Sequence, residues 1–492
     1  MRGLRLVSLA SILVGVGLVV GSIGGAAFAV ANFVTVSTNS ALGFDQAVAT
    51  NIQNSVNSGR DTFRFDTFGS EQFFGGVLQL NQAIEGAKFG GLGQGVSPKT
   101  ALAVGLKVDV DALPAALQKA LQQGQVDLND PATTLALLKL NAVVGLTGFS
   151  NPDGSLKSVG IQCALCHSTV DNSFASGIGH RLDGWPNRDL NVGAILNLAP
   201  DGSAGPPPTG LTAVSQLLSS GGTPVNVPTV RTVLQSWGPG KFDAELFMDG
   251  KAFNPQQVTD GTVTGVNVTG ATLIPAAYGL QGFNLHTWTG WGSVTYWNAF
   301  VANLEMHGSP GTFFDPRLDS KTQFPIAAVN NFGHVQPAAG QVDRITPKLA
   351  ALHYYQLSLP SPVAPAPSAA TAASIAHGAT LFGDPTGGTI SSPLFDKARC
   401  ATCHVPPLFT EPGYNLHKAS EIGIDDFQSS RSPALGYRTS PLKGLWSRQK
   451  GGFYHDGRFA TLQDVVNHYN VLMGLGLTPG QESDLVNYLL SL

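Results

Sequence analysis

Two short stretches of the chain carry cysteine and histidine at a spacing that suits a covalently bound cofactor. They read Cys163-Ala164-Leu165-Cys166-His167 and Cys400-Ala401-Thr402-Cys403-His404, and together they use all 4 cysteines of the 492 residues. The C-x-x-C-H pattern attaches c-type haem, because the thiols form thioethers with the porphyrin and the histidine binds the iron. On one helical turn, sulfurs three residues apart lie on the same face. The sequence therefore predicts two covalently bound c-type haems.

Cysteine pairs also occur in structural zinc sites and in redox-active dithiols. A structural zinc site gathers four ligands in one place, whereas these two pairs are more than 200 residues apart along the chain. Dithiol redox chemistry does not need the histidine that closes each pair. Both alternatives explain the repeated pattern less well than haem attachment does.

The composition indicates a folded, loop-rich protein. Charged residues make up 12% of the chain, and the 59 glycines and 31 prolines imply many loops. Their combined share stays below the level that is typical of disordered chains. The net charge of −4 comes without a basic run, so a nucleic-acid partner is not expected.

The N-terminus has the pattern of an export signal. A basic stretch, Met1–Arg5, precedes an uncharged run over Leu6–Phe33 that contains the small-residue site Ala27-Phe28-Ala29. We interpret residues 1–31 as a signal peptide. Because the apolar run is long enough to span a bilayer, an N-terminal membrane anchor is the alternative. Either way, the remainder of the chain is expected in the periplasm or outside the cell.

The rest of the chain divides into two haem regions and an extension. Residues 32–150 carry no cofactor motif, and the sequence does not indicate their role. Residues 151–359 hold the first haem motif, and a Pro/Ala-rich linker at 360–371 separates them from residues 372–492. In that last region a helix, the haem motif, a loop and a closing helix follow one another, which is the order of a class I cytochrome c domain. We therefore expect a mainly α protein with two class I cytochrome c-like haem domains and long loops.

Composition and capping patterns predict the positions of several helices. An extended segment is expected over residues 101–110. Before the last helix, Thr478, Pro479 and Gln481 form a capping-box pattern. The predicted helices cover 71–85, 114–123, 132–144, 372–382, a segment from Thr461 onward, and 478–492.

Further stretches accompany the haem motifs in a recognisable order. They are Gly177–His180, Pro228–Val230, Phe247–Ala252 and Tyr454–Leu462. In order and content they resemble the bacterial di-haem cytochrome c peroxidase family, which includes the enzyme that matures methylamine dehydrogenase; haem-dependent rubber oxygenases are more distant relatives. The resemblance runs from about Gly160 to the C-terminus. It implies that the C-terminal haem passes electrons to the N-terminal haem, where peroxide is reduced.

The resemblance also implies roles for residues near the first haem. His167 would be the proximal ligand of the reaction haem. His180, 13 residues later, would match the distal histidine that leaves the iron on activation, and its glycine neighbours would let that loop move. The chain departs from the family at Met248, which stands where relatives carry a tryptophan between the haems.

The family's distal carboxylate has no counterpart at the matching position, which falls near Val268. Between Gly261 and Phe314, Glu305 is the only carboxylate in the sequence. Glu305 and His307 are therefore the candidates for handling protons at the peroxide. The alternative is that both side chains lie on a helix surface.

The distal ligand of the C-terminal haem has several candidates. The family position falls at Tyr469, with His468 beside it and Met473 four residues on. We favour His468, then Met473, then Tyr469; methionine would give the higher reduction potential. His417 is a further candidate because its distance from the second haem motif repeats that of His180 from the first. His455 is expected to be a structural hydrogen-bonding residue.

Three functions remain open from the sequence. The first is an exported peroxidase-type oxidoreductase that takes electrons from a small cytochrome c or cupredoxin-type protein. The second is a di-haem oxidase or oxygenase that acts on an organic small molecule, and the third is a non-enzymatic electron carrier. Relatives also hold a calcium ion between their domains, although this chain shows no recognisable run of calcium ligands.

Overall fold

The computed structural model describes residues 41–255, 257–259, 262–265 and 268–492. The predicted export signal at 1–31 lies outside these residues. The chain divides into a unit that ends at Asn51 and a unit over Ile52–Leu492, which contains both haem motifs. Within the described ranges, no helix is both long and apolar enough to cross a membrane.

Most of the regular structure is helical. The α-helices span Ala41–Phe65, Leu80–Glu85, Pro98–Ala103, Ala115–Gln122, Pro131–Lys139, Ala164–His167, Val192–Leu196, Gly210–Ser219, Val227–Trp237, Leu246–Asp249, Val294–Phe300, Pro325–Val329, Thr346–Ser358, Ala369–Phe382, Phe427–Ser430, Leu462–Leu472 and Pro479–Ser491. Two π-helical segments, Gln72–Val77 and Val301–Glu305, and short 3₁₀ turns, including Cys400–Thr402, complete the helical part.

The strands form seven two-stranded ladders in the described part of the chain. The pairs are Val108–Asp109 with Ile178–Gly179, Leu146–Ser150 with Leu156–Ile161, Ser168–Val170 with Arg181–Asp183, Lys241–Phe242 with Thr272–Leu273, Phe253–Asn254 with Val268–Thr269, Gln257–Thr259 with Thr262–Gly265, and Phe313–Phe314 with His334–Val335. The architecture is therefore mainly α with small sheets.

The helix ends follow the capping chemistry of the sequence in the C-terminal region. Thr461 and Thr478 each accept a hydrogen bond from the backbone three residues on, and both complete a capping box. This confirms the predicted capping pattern at Thr478. Pro479 at the first helical position has no backbone N–H to leave unpaired.

In the extension, two predicted elements differ from the structure. The single helix expected over 71–85 is interrupted, because Gln79 adopts a left-handed conformation with φ of 58° between two shorter helices. The segment at 101–110 is helical up to Ala103, and only Val108–Asp109 pairs as a strand. Local composition favoured one helix and one extended segment, but packing against neighbouring strands divides both.

The extension shares its core with the first haem region. Buried Leu78, Val110 and Leu138 belong to the same apolar cluster as Val230 and Leu234. At Gly75 an added Cβ would lie 2.4 Å from the Cβ of Ser158, so the extension packs closely on the strand that leads to the first haem motif.

A second core supports the C-terminal haem motif. The helices Ala369–Phe382 and Pro479–Ser491 pack directly on each other, and a Cβ at Gly378 would meet the carbonyl oxygen of Asp484 at 2.1 Å. The rings of Phe382 and Tyr488 lie 5.2 Å apart in an edge-on contact. Burial of these aromatic rings stabilises the surface from which the Cys400–Thr402 turn projects.

Candidate functional site

The first C-x-x-C-H stretch lies on the wall of a cavity with a volume of about 290 Å³. Cys163, Cys166 and His167 line this cavity, which we call the N-terminal cavity. Gly145, with φ of 82°, approaches so closely that an added Cβ would lie 2.1 Å from the Cα of Leu165. This contact fixes the helical turn Ala164–His167 against the core.

A backbone carbonyl fixes the orientation of the His167 imidazole. Its Nδ1 lies 3.2 Å from the carbonyl oxygen of Pro275, and within the described residues its Nε2 has no hydrogen-bond partner. Burial lowers the pKa of His167 to about 4, so the imidazole is neutral near pH 7. In metal-binding histidines, the N–H of the ring nitrogen that does not bind the metal commonly donates a hydrogen bond to a carbonyl in this way.

The second C-x-x-C-H stretch lines a separate cavity of about 340 Å³, which we call the C-terminal cavity. The His404 Nδ1 is 3.3 Å from the carbonyl oxygen of Phe409. Burial lowers the pKa of His404 to about 4. Both motifs therefore present a neutral imidazole whose other ring nitrogen is fixed by a backbone carbonyl.

The cavity walls fit a porphyrin with two thioether links and one imidazole. Aliphatic and aromatic side chains dominate both linings, and burial raises the pKa of Cys163, Cys166 and Cys400 to about 12. The residues present are thus compatible with a c-type haem in each cavity.

One other group of possible metal ligands occurs among the residues that the structure describes. Ligand atoms of Cys403, Glu411 and His417 lie within 4.8 Å of one another. Three ligands are one fewer than a structural zinc site uses, and a calcium site would be built from oxygen ligands. Calcium therefore remains an implication of the resemblance that this cluster does not support.

Glu305 and His307 both line the N-terminal cavity. The π-helical segment Val301–Glu305 carries Glu305 inward, where its Oε1 is buried without a hydrogen-bond partner among the described residues. Burial, with the nearby charges of Glu245 and Asp243, raises the pKa of Glu305 well above its usual value. Its carboxyl group is thus favoured in the protonated form.

His307 adopts a left-handed backbone conformation with φ of 51° and stacks on Phe73 with ring centroids 3.6 Å apart. Burial lowers the pKa of His307 to about 4. Neither Glu305 nor His307 lies on an exposed helix surface, which was the alternative interpretation of the sequence.

The structure does not bring His180 to the cavity that holds His167. The side chain of His180 is 52% exposed, and its Nδ1 lies 2.9 Å from Asp111 Oδ1. The reason is local: the strand Ile178–Gly179 pairs with Val108–Asp109, and this ladder holds the next residue beside the extension. In this arrangement the imidazole of His180 does not line the cavity that Cys163, Cys166 and His167 line.

His180→Gly is expected to leave the absorption and electron paramagnetic resonance spectra of the oxidised protein unchanged, because the exposed imidazole does not reach the cavity. His334→Gly is a matched control, since His334 forms a similar pair with Asp319 at 2.9 Å. A new high-spin signal in the His180 variant alone would contradict this placement and restore His180 as an iron ligand.

The helix Leu462–Leu472 decides which candidates reach the C-terminal cavity. Tyr469 and Met473 line the cavity together with Leu462 and Val466, so they share one helical face. His468 lies on another face, where its Nε2 is 2.8 Å from the carbonyl oxygen of Ile422. The first-ranked ligand is therefore turned away from the cavity, while the second and third candidates are turned toward it.

Two further histidines line the C-terminal cavity. His417 is engaged by carboxylates, with Nε2 2.7 Å from Glu411 and Nδ1 3.3 Å from Glu421. His455 stacks on Tyr437 with ring centroids 5.1 Å apart. Its Nε2 lies 3.8 Å from the Asp456 carboxylate, and within the described residues its ring forms no hydrogen bond, so the hydrogen-bonding role expected for His455 is not observed.

The chain matches no protein-family profile, and no curated protein sequence matches it. Among solved structures, it is similar to a chain of Kuenenia stuttgartiensis hydrazine synthase, determined under xenon pressure, with 17% identity over 51% of this chain and 86% of that chain and a TM-score of 0.24. A TM-score this low does not establish a shared fold.

Two residues that the sequence did not single out line both cavities, namely Trp288 and Arg438. The Trp288 indole donates a hydrogen bond of 2.8 Å to the carbonyl oxygen of Leu273. Met248, at the family's tryptophan position, is instead buried in an apolar cluster with Trp291. An indole therefore does stand between the cavities, although it comes from a different part of the chain.

Proposed function

We propose that this chain is an exported di-haem c-type oxidoreductase that reduces hydrogen peroxide in the N-terminal cavity. Electrons would be taken up from a small cytochrome c or cupredoxin-type protein through the C-terminal cavity. The observation that carries the proposal is Glu305, a buried carboxyl group with a free oxygen in the same cavity as His167.

Reduction of hydrogen peroxide to two water molecules consumes two electrons and two protons. A haem held by His167 would supply the iron that binds peroxide and exchanges electrons with it. The reaction also needs a proton donor inside the apolar cavity, and Glu305 can serve as that donor. A carboxyl group whose pKa is raised by burial can give its proton to the leaving oxygen.

Trp288 supports electron transfer between the two cavities. Its ring lines both of them, and its indole N–H is fixed by the Leu273 carbonyl. We assign Trp288 the role that the tryptophan at the Met248 position has in the family. No other aromatic residue lines both cavities in the described part of the chain.

An oxidase or oxygenase acting on an organic substrate is the second candidate function. A small apolar cavity of about 40 Å³ shares Ile84, Leu106 and Leu146 with the N-terminal cavity. That small cavity shares Leu102 and Val108 with a third, apolar cavity of about 290 Å³ in the extension. Such adjoining apolar space favours an apolar organic molecule, which hydrogen peroxide reduction does not require.

Spectra of the half-reduced protein, together with turnover assays, distinguish the three functions. We expect two haems per chain in a pyridine haemochrome assay, one high-spin haem in the half-reduced state, and peroxide-dependent oxidation of a reduced small cytochrome c. Two low-spin haems in every redox state would exclude both enzyme functions and support the non-enzymatic electron carrier. Consumption of oxygen with an apolar substrate, without peroxide turnover, would favour the oxygenase.

A further inference from the structure

Of the four arginines in the wall of the C-terminal cavity, three have buried guanidinium nitrogens and no acidic partner among the described residues. They are Arg188, Arg438 and Arg448, and Arg438 also lines the N-terminal cavity. Arg188 comes from the first haem region, and the other two come from the segment that follows the second haem motif. In the described ranges, none of the three forms an ion pair with a carboxylate.

Within the described residues, each guanidinium donates a hydrogen bond only to a backbone carbonyl, and that of Arg438 also lies over the Phe283 ring at 5.6 Å from its centroid. Arg188 Nη1 donates to Lys450 at 3.4 Å, Arg438 Nε donates to Thr287, and Arg448 Nη2 donates to Pro441. A guanidinium has five N–H donors. The Nε of Arg188, the Nη1 of Arg438 and the Nε of Arg448 are buried without a partner among the described residues.

Other buried arginines of this chain are neutralised. Arg431 is paired with Asp243 and Asp249, each at 2.8 Å. Arg458 is paired with Asp425 at 2.6 Å and with Asp456 at 2.7 Å. The protein therefore supplies carboxylates to buried guanidinium groups elsewhere, and their absence around the three-arginine cluster is specific to this cavity.

The charge of Arg448 also repels those of Arg188 and Arg438. Burial and the charge of Arg448 lower the pKa of Arg188 to about 9, and the same two causes lower that of Arg438 to about 9. A buried charge without a counter-ion is strongly unfavourable. A bound anion would remove this cost, and carboxylates suit the guanidinium fork best.

We propose that Arg188, Arg438 and Arg448 bind the propionate carboxylates of a haem held by Cys400, Cys403 and His404. This rests on the proposed function, because it requires haem in the C-terminal cavity. The cluster lies in the same cavity wall as the haem motif, and its unpaired donors match a pair of carboxylates. Positive charge beside the haem disfavours the oxidised iron, so the cluster raises the reduction potential of the C-terminal haem.

The test uses Arg438→Gln and Arg448→Gln in the holoprotein. Both variants are expected to shift the midpoint potential of the C-terminal haem downward in a spectroelectrochemical titration, and to shift its propionate-bending band in resonance Raman spectra. Arg438→Lys retains the charge and is expected to stay closer to the wild-type potential, which keeps the test informative if a glutamine variant does not fold. Arg344→Gln, which removes an exposed arginine, should change neither observable.

Haem stoichiometry separates the two proposals. Wild-type protein purified without covalent haem would overturn both. Variants that retain two haems with the wild-type potential and Raman band would overturn only the arginine site. Added benzoate gives a second readout. If it raises the melting temperature of the wild-type holoprotein but not of the variants, the arginines bind a free carboxylate, and the assignment to the haem propionates is overturned.

Discussion

Glu305→Gln is expected to lower the rate of peroxide reduction by about 10²–10⁴-fold, the usual contribution of a positioned general acid. Glutamine has nearly the same shape as protonated glutamic acid but cannot give up a proton in this step. Because Glu305 has no ion pair to lose within the described residues and its Oε1 is already unpartnered, we expect the variant to retain both haems and the wild-type melting temperature.

The wild-type protein should also show a pH dependence that the variant lacks. Burial, Glu245 and Asp243 raise the pKa of Glu305, and only the protonated form can donate. The rate is therefore expected to be maximal below this raised pKa and to fall as the pH rises through it. In Glu305→Gln this particular decline should disappear from the profile of rate against pH.

Steady-state oxidation of a reduced cytochrome c by peroxide measures both effects. Glu71→Gln is the control, because Glu71 accepts a hydrogen bond from Thr67 at 2.7 Å and does not line the N-terminal cavity. It should keep the wild-type rate. Full activity in Glu305→Gln, with both haems bound, would mean that another group delivers the proton.

Arg431→Leu is expected to reduce the free energy of unfolding by about 3–5 kcal/mol, the usual cost of removing one partner from a buried ion pair. The side chains of Arg431, Asp243 and Asp249 are all 0% exposed. Without the guanidinium, two carboxylates remain buried, and Glu245 close by adds to their repulsion. The contact also joins segments that are far apart in the sequence.

Urea denaturation followed by circular dichroism measures this loss. Arg231→Leu is the comparison, because Arg231 is 31% exposed and pairs with the exposed Asp201 at 2.6 Å. Arg231 also donates to the carbonyl oxygens of Asn197 and Ala199, and we expect its loss to cost less than that of the fully buried Arg431. Adding Asp243→Asn and Asp249→Asn to Arg431→Leu should recover part of the stability, since the unpaired charges are then removed. Equal effects of the Arg431 and Arg231 substitutions would show that the buried pair is not stabilising.

Several features of the site could be predicted from sequence because they depend on near neighbours. A capping box needs only residues three apart, and Thr478 with Gln481 forms it as expected. Likewise, C-x-x-C-H brings two sulfurs and an imidazole together within one turn. Glu305 was found by elimination, as the only acid in a long stretch, and it does line the N-terminal cavity.

Other features were missed because they depend on the phase of an element or on distant packing. His468 and Tyr469 are adjacent in sequence, yet about 100° of helical rotation separates their side chains, and only Tyr469 faces the C-terminal cavity. Alternating steps of four and three residues from Leu462 reach Val466, Tyr469 and Met473, which all line the C-terminal cavity, and pass over His468. No comparable local signal marks Trp288 among the 6 tryptophans.

The sequence by itself determined the two cysteine–histidine motifs, the mainly helical character and the caps, because each is encoded within a few neighbouring residues. Only the tertiary structure decided that His180 pairs with Asp111 away from the cavity, that Trp288 stands between the cavities, and that three arginines meet without an acid. The physical reason is the same in each case: these positions follow from strand pairing and core packing between segments far apart along the chain.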